Sequence, residues 1–345
     1  MKKFIALYIC LINCLLSFSE KKALVVAIGH YPSESKWPAI SSANDVTLLN
    51  QIFSSYDLFV LEDADATHSN IVKAIISLTS GASLGDSVYI HFSCHGQQML
   101  PTLASNADAE IDKLDEALVP YDAKKDWSDN YQGENHLRDD EMGVLLDSLR
   151  KKVGSSGFVL LTLDACFSDS MDRGKQKNNK VRKVRGGAEI FGANTISHDS
   201  LGILLKNRNK QEPKLSLKKD GYANIVILSA CKSNQRNYEY EDAYNSYGSL
   251  SYAMYQSFLE CGMTDLYKWL DCIYENMQII AYSQDPQIRA SLSYSFPSNE
   301  NTSICEDIEI DDQTSINCQY LLVLIVILSV LILIVLSWLK LKNKL

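Results

Sequence analysis

Two short hydrophobic runs, each stopping abruptly at a chemically capable side chain, constrain this chain most. They are Tyr89-Ile90-His91-Phe92-Ser93-Cys94-His95-Gly96 and Leu161-Thr162-Leu163-Asp164-Ala165-Cys166-Phe167-Ser168-Asp169-Ser170. Apolar, β-branched and aromatic runs bounded by small and polar residues read as buried strands of a parallel sheet. In such sheets ligands bind beyond the carboxyl ends of the strands, so His95 and Cys166 are expected side by side. An imidazole beside a thiol is a base and nucleophile pair for acyl transfer, because the imidazole can take the thiol proton and the thiolate is the reactive species. Gly96, directly after His95, allows a peptide backbone to approach closely.

Around these two runs the pattern alternates. Strands are read at 22–29, 57–61, 86–94, 157–164 and 224–229, and helices at 44–55, 69–78, 139–152, 249–259 and 265–280. Alternation of this kind implies right-handed crossovers and a mostly parallel central sheet covered on both faces, an α/β three-layer α/β/α sandwich. No internal repeat is evident. The long connection at 173–222 is too polar and too basic to read as packed structure, and disorder is expected there.

The ordered set of motifs resembles the caspase-type peptidases, metacaspases and their bacterial relatives above all. Ser-x-His-Gly closes one strand and Asp-x-Cys-x-Ser closes another, with Asp115-Glu116-Ala117-Leu118-Val119-Pro120-Tyr121-Asp122 between them. Ala43-Asn44-Asp45 opens the first helix, Asp139-Asp140-Glu141-Met142 opens a later one, and Gln284-Asp285-Pro286-Gln287 comes near the end. The resemblance covers residues 22–291 and implies a caspase-like fold and cysteine endopeptidase activity, with His95 as general base and acid and Cys166 as nucleophile. It implies an oxyanion site from the backbone N–H groups of Gly96 and Cys166. The acidic pocket of metacaspases, which takes the residue before the cleaved bond, matches Asp45, Ser93 and Asp164, so cleavage after Arg or Lys is expected. A purely structural reading also stands, with Asp45 capping a helix and Asp164 tying down a loop.

The resemblance also matches Asp115, Asp139 and Asp140 to positions at which some metacaspases hold calcium. Clustered carboxylates are suitable ligands for a hard cation, yet Asp139-Asp140-Glu141 is equally how a helix starts, and Asp172 matches a fourth ligand only in uncertain register. No Cys/His cluster has the spacing of a zinc site, and no other cofactor is called for. His68, His91, His136 and His198 read as surface or packing residues. Asp169 stands where relatives often have Gly, which keeps open a rival in which the module is a catalytically idle, anchored scaffold.

With 345 residues and 46% hydrophobic content, the chain can bury one large core or two ordinary ones. Its net charge of -9 argues against a general nucleic-acid binder. The resemblance implies polypeptides with basic residues as partners, and a monomer is expected. The charge is uneven, since residues 173–219 carry thirteen Lys or Arg against Glu189, Asp199 and Glu212. An exposed basic linker offers sites to an enzyme that prefers basic residues, so self-cleavage is expected at Arg173, Lys175, Lys180, Arg182, Lys183 or Arg185.

The ends set the expected compartment. Residues 1–19 have the charged, apolar and small-residue parts of a secretory signal, while the Cys14 context fits a lipoprotein site poorly. A peptidase domain at 20–298 is followed by a stalk at 299–319, an uncharged run at 320–339 and a short tail at 340–345. That run is long enough to cross the roughly 30 Å hydrocarbon layer. Lys340, Lys342 and Lys344 assign the tail to the cytoplasm, giving a single-pass membrane protein with its catalytic domain on the extracytoplasmic side. Cys94, Cys231, Cys261 and Cys272 read as small buried hydrophobes. Cys305 and Cys318 flank the acidic stalk, where a disulfide is an open alternative.

Overall fold

The computed structural model describes residues 19–100, 114–167, 183–186, 189–197, 217–233 and 235–291. The signal at 1–19 (Ser19 aside), Asp169, Asp172, His198, the stalk cysteines and the run at 320–339 lie outside these residues. Among the described residues no helix is long and apolar enough to cross a membrane.

A six-stranded sheet forms the centre. Its strands are β1 (Lys21–Ala27), β2 (Asp57–Glu62), β3 (Ser87–Ser93), β7 (Phe158–Asp164), β8 (Asn224–Ser229) and β11 (Gln287–Ala290), in the order β11-β8-β7-β3-β1-β2. All neighbours are parallel except β11, which runs antiparallel to β8. The inner strands are buried on both faces, as their unbroken hydrophobic sequences require.

Alternate strand residues feed two separate cores. Leu24, Val26, Ile90, Phe92, Val159 and Leu161 face α2 (His68–Gly81) and α3 (Asp139–Val153). Ala23, Val25, Tyr89, Leu160, Val226 and Leu228 face α1 (Ser42–Ile52), α4 (Ser249–Cys261) and α5 (Leu266–Ile280). The expected three layers are therefore present, and a strand period of two is what sorts the side chains between them. Local signals start the helices. The Thr67 side chain accepts from the Asn70 N–H at α2, Asp265 accepts from the Lys268 N–H at α5, and α3 opens on Asp139, Asp140 and Glu141 and closes on Arg150, Lys151 and Lys152, opposing its dipole.

Two small sheets complete the carboxyl edge. β4 (Gly96–Met99), β5 (Asp115–Leu118) and β6 (Leu137–Arg138) pair antiparallel, and β9 (Glu239–Glu241) pairs with β10 (Ser246–Gly248) as a hairpin. Cys261 and Cys272 form a disulfide between the end of α4 and α5, which corrects their reading as packing thiols. The 173–222 connection is not wholly unpacked. Residues 183–186 thread the molecule with Arg185 fully buried, and Phe191 exchanges backbone hydrogen bonds with Gln98 and Leu100.

Candidate active site

β3 and β7 lie in register with Ser93 opposite Asp164, so His95 and Cys166 each emerge two residues beyond the same edge of the sheet. The backbones touch there: a methyl group on Gly96 would stand 2.7 Å from the Cys166 carbonyl oxygen and 2.9 Å from the Phe167 ring.

His95 is fully buried and stacks on Trp37, with ring centroids 4.8 Å apart. Its Nε2 lies 2.8 Å from the Pro38 carbonyl oxygen, which fixes the proton on that nitrogen. Nδ1 is then the basic nitrogen, and it is buried with no hydrogen-bond partner among the described residues. Burial pushes the imidazole down to about 4, against the Pro38 bond, and Arg185 and Lys125 act in the same direction as burial. His95 is a neutral proton acceptor at ordinary pH.

Cys166 is equally buried, and its thiol donates to the Gln235 carbonyl at 3.1 Å. The Cys231 thiol reaches the same oxygen at 3.6 Å. Its hydrogen bond with Cys166, then burial, raise Cys231 well above the ordinary thiol range. Cys94, by contrast, is simply buried, which lifts it to about 12.

Beside this pair the protein's own Arg185 is fully buried among acids. Its Nη1 stands 2.9 Å from Asp45 Oδ2 and donates to Ser93 Oγ at 2.6 Å, while Nη2 stands 3.2 Å from Glu239 Oε1. Ser93 in turn donates to Asp45 at 2.7 Å, and the Gly248 N–H donates to the other Asp45 oxygen at 2.9 Å. Asp164 accepts from Asn237 Nδ2 at 2.7 Å, the Ser251 N–H at 2.8 Å and Ser251 Oγ at 2.7 Å. Burial, the largest influence, raises Asp45 to about 6 despite Arg185. For Asp164 burial is outweighed by Arg185 and by the Asn237 and Ser251 hydrogen bonds, and its carboxyl ends below the usual range. Asp45 is not a helix cap, because Ser41 holds that position. Asp164 both faces the cation and ties down Asn237 and Ser251.

The backbone around Arg185 is held as an added strand. The Arg185 N–H donates to the Asn237 carbonyl at 3.0 Å, the Glu239 N–H donates to the Lys183 carbonyl at 2.9 Å, and Val184 bridges Tyr238 antiparallel. The Cys166 N–H donates to the Arg185 carbonyl at 2.7 Å. Gly186 follows with φ +120, packed so that any side chain would collide with the Cys166 and Gly96 carbonyl oxygens.

The three acids matched to calcium have partners of their own. Arg138 pairs directly with Asp115. Burial and the neighbouring Asp115 and Asp140 raise Asp139 to about 7. Among the described residues no group of three or more His, Cys, Asp or Glu could hold a metal ion. His91 is a packing residue between Thr162 and Ser251, His136 between Tyr131 and Gln97, and His68 pairs with Glu141 at 2.9 Å. Sequence reasoning missed Glu239, Asn237 and Gly248. They come from the β9–β10 hairpin and its approach, where no long periodic run announces a strand. The alternation of Asn237 and Glu239 with tyrosines was the only signal.

A family model described as the caspase domain matches residues 20–297. The chain is similar to Metacaspase-1 of Cryptococcus neoformans, 26% identical over 303 residues and covering 79% of this chain and 62% of that one. It is similar to Metacaspase-1 of Mycosarcoma maydis (24%, covering 79% and 70%) and of Lodderomyces elongisporus (28%, covering 79% and 65%). The chain thus spans 62% to 70% of the length of these relatives. A crystal structure of a Geobacter sulfurreducens protein shares the fold, with a TM-score of 0.53 at 17% identity over 80% of this chain and 95% of that one.

Proposed function

The chain belongs to the caspase domain family, and on that premise we propose that it is a cysteine endopeptidase that hydrolyses peptide bonds after Arg or Lys, its first substrate being its own Arg185–Gly186 bond. One observation carries the reading: Arg185 sits in the acidic pocket while its carbonyl oxygen accepts the Cys166 N–H at 2.7 Å. A peptide bond so held is polarised at the carbon that a thiolate would attack. Cys166 must first rotate its thiol away from the Gln235 carbonyl. His95 Nδ1 takes the proton, the thiolate adds to the Arg185 carbonyl, and the Cys166 N–H steadies the oxyanion. The imidazolium then protonates the departing Gly186 amine, and water hydrolyses the thioester with His95 again as base.

The proposal extends to place and state: a monomer, anchored through residues 320–339 with the catalytic domain on the extracytoplasmic side. The Cys261–Cys272 disulfide supports an oxidising compartment. N-terminal sequencing of the purified chain beside Cys166→Ala tests the activity. A new terminus beginning Gly186 in the wild type alone is the expected result. An intact wild type, or the same cut in both proteins, overturns self-processing.

A further inference from the structure

The two terminal nitrogens of Arg185 go to different acids. Nη1 serves Asp45 and Ser93, and Nη2 serves Glu239. Glu239 is 1% exposed and is clamped in turn, with the Ser41 N–H on Oε1 at 2.6 Å and Ser41 Oγ on Oε2 at 3.0 Å. Ser41 directly precedes α1, which carries Asp45 one turn on, so one helix start fixes both carboxylates. Their spacing matches a planar fork. An ammonium group is a compact point charge on a flexible stem, and it cannot satisfy both acids as the guanidinium does. The carboxylate it fails to reach stays buried without its counter-charge.

We propose that Glu239 is a specificity-determining residue, through which the pocket selects arginine over lysine before the cleaved bond. The inference rests on the endopeptidase reading above. Asp45 and Asp164 supply attraction for either cation, and Glu239 adds the second point of attachment that distinguishes them.

The test uses the full chain with two fluorogenic peptides ending Lys-Val-Arg and Lys-Val-Lys, matching residues 183–185 with only the last residue changed. The wild type should favour the Arg peptide roughly 10- to 100-fold in kcat/KM, mainly through KM. In Glu239→Gln the ratio should fall to within about threefold, because the Arg peptide loses its second point of attachment while the Lys peptide no longer leaves a buried carboxylate uncompensated. An unchanged ratio in that variant, or equal cleavage of both peptides by the wild type, overturns the proposal. If Glu239→Gln does not fold, the wild type alone decides it with asymmetric dimethylarginine, which keeps the charge but blocks one nitrogen. That peptide should be cleaved at least about tenfold more slowly than the Arg peptide, and equal cleavage overturns the proposal. Cleavage of neither the Arg nor the Lys peptide by wild type that has shed the tail ending in Arg185 overturns the endopeptidase reading itself.

Discussion

At the scale of single residues, the tautomer of His95 is set by the Pro38 carbonyl, leaving Nδ1 as the only nitrogen able to accept a proton. On the proposed mechanism Cys166 and His95 act as one unit, so Cys166→Ala and His95→Ala should each lower kcat/KM by about 10³ or more. Peptide turnover by folded variants checks this, and near-normal activity in either one would remove the pair from the mechanism. Asp45 predicts a pH dependence. Its carboxyl titrates near 6 with Arg185 in place, and emptying the pocket removes the cation that lowers it, moving it higher still. The charged form binds a basic substrate, so KM for an Arg peptide should rise as pH falls from above 6 towards about 6 and level off below that. In Asp45→Asn the KM should be high throughout and nearly flat with pH. A wild-type KM unchanged between pH 5 and 7.5 would show that Asp45 stays ionised.

At the scale of elements, the strands and helices that build the sheet were legible because burial on two faces imposes a period that sequence displays. β1, β2, β3, β7 and β8 and the five α-helices of the described residues fall within a few residues of the positions read from periodicity. His95 and Cys166 were legible for the same reason, since each ends a buried run. The short edge elements were not. β4 to β6, the β9–β10 hairpin and β11 are each four residues or fewer and owe their form to tertiary pairing. Glu239 and the buried course of Arg185 went unseen with them, because composition alone makes a basic segment look solvated. Gly186 is where that course is most constrained. Gly186→Ala places a methyl group against two carbonyl oxygens, so it should unseat Arg185 and abolish self-cleavage while leaving peptide cleavage in trans. Gel analysis beside a peptide assay checks this, and wild-type processing in the variant would refute the packing argument. The Cys261–Cys272 bridge closes a loop with a sequence separation of 11. Replacing both with Ser should cost roughly 2–3 kcal/mol and lower Tm by roughly 4–10 °C, with catalysis retained. Calorimetry showing no change would mean the bridge adds nothing.

At the scale of the whole molecule, the proposed anchor makes a topological prediction. Protease added outside a sealed cell should reach the catalytic domain while a tag after Leu345 stays protected, and the reverse pattern would refute the orientation. The seat of Arg185 has a consequence for how such a protein would switch on. A cut after Arg185 leaves that residue, now with a free carboxylate, at the end of a tail still joined to the strand that carries Cys166. A tethered end meets its own pocket at an effective concentration that can reach the millimolar range. It therefore competes with every outside substrate however dilute the enzyme is. The first cut makes a self-occupied product, and freedom comes only with a second cut nearer Cys166, at Arg173 or Lys175, which turns the tail into a peptide that can diffuse away. Onset of activity would then show a lag that dilution of the enzyme neither shortens nor relieves.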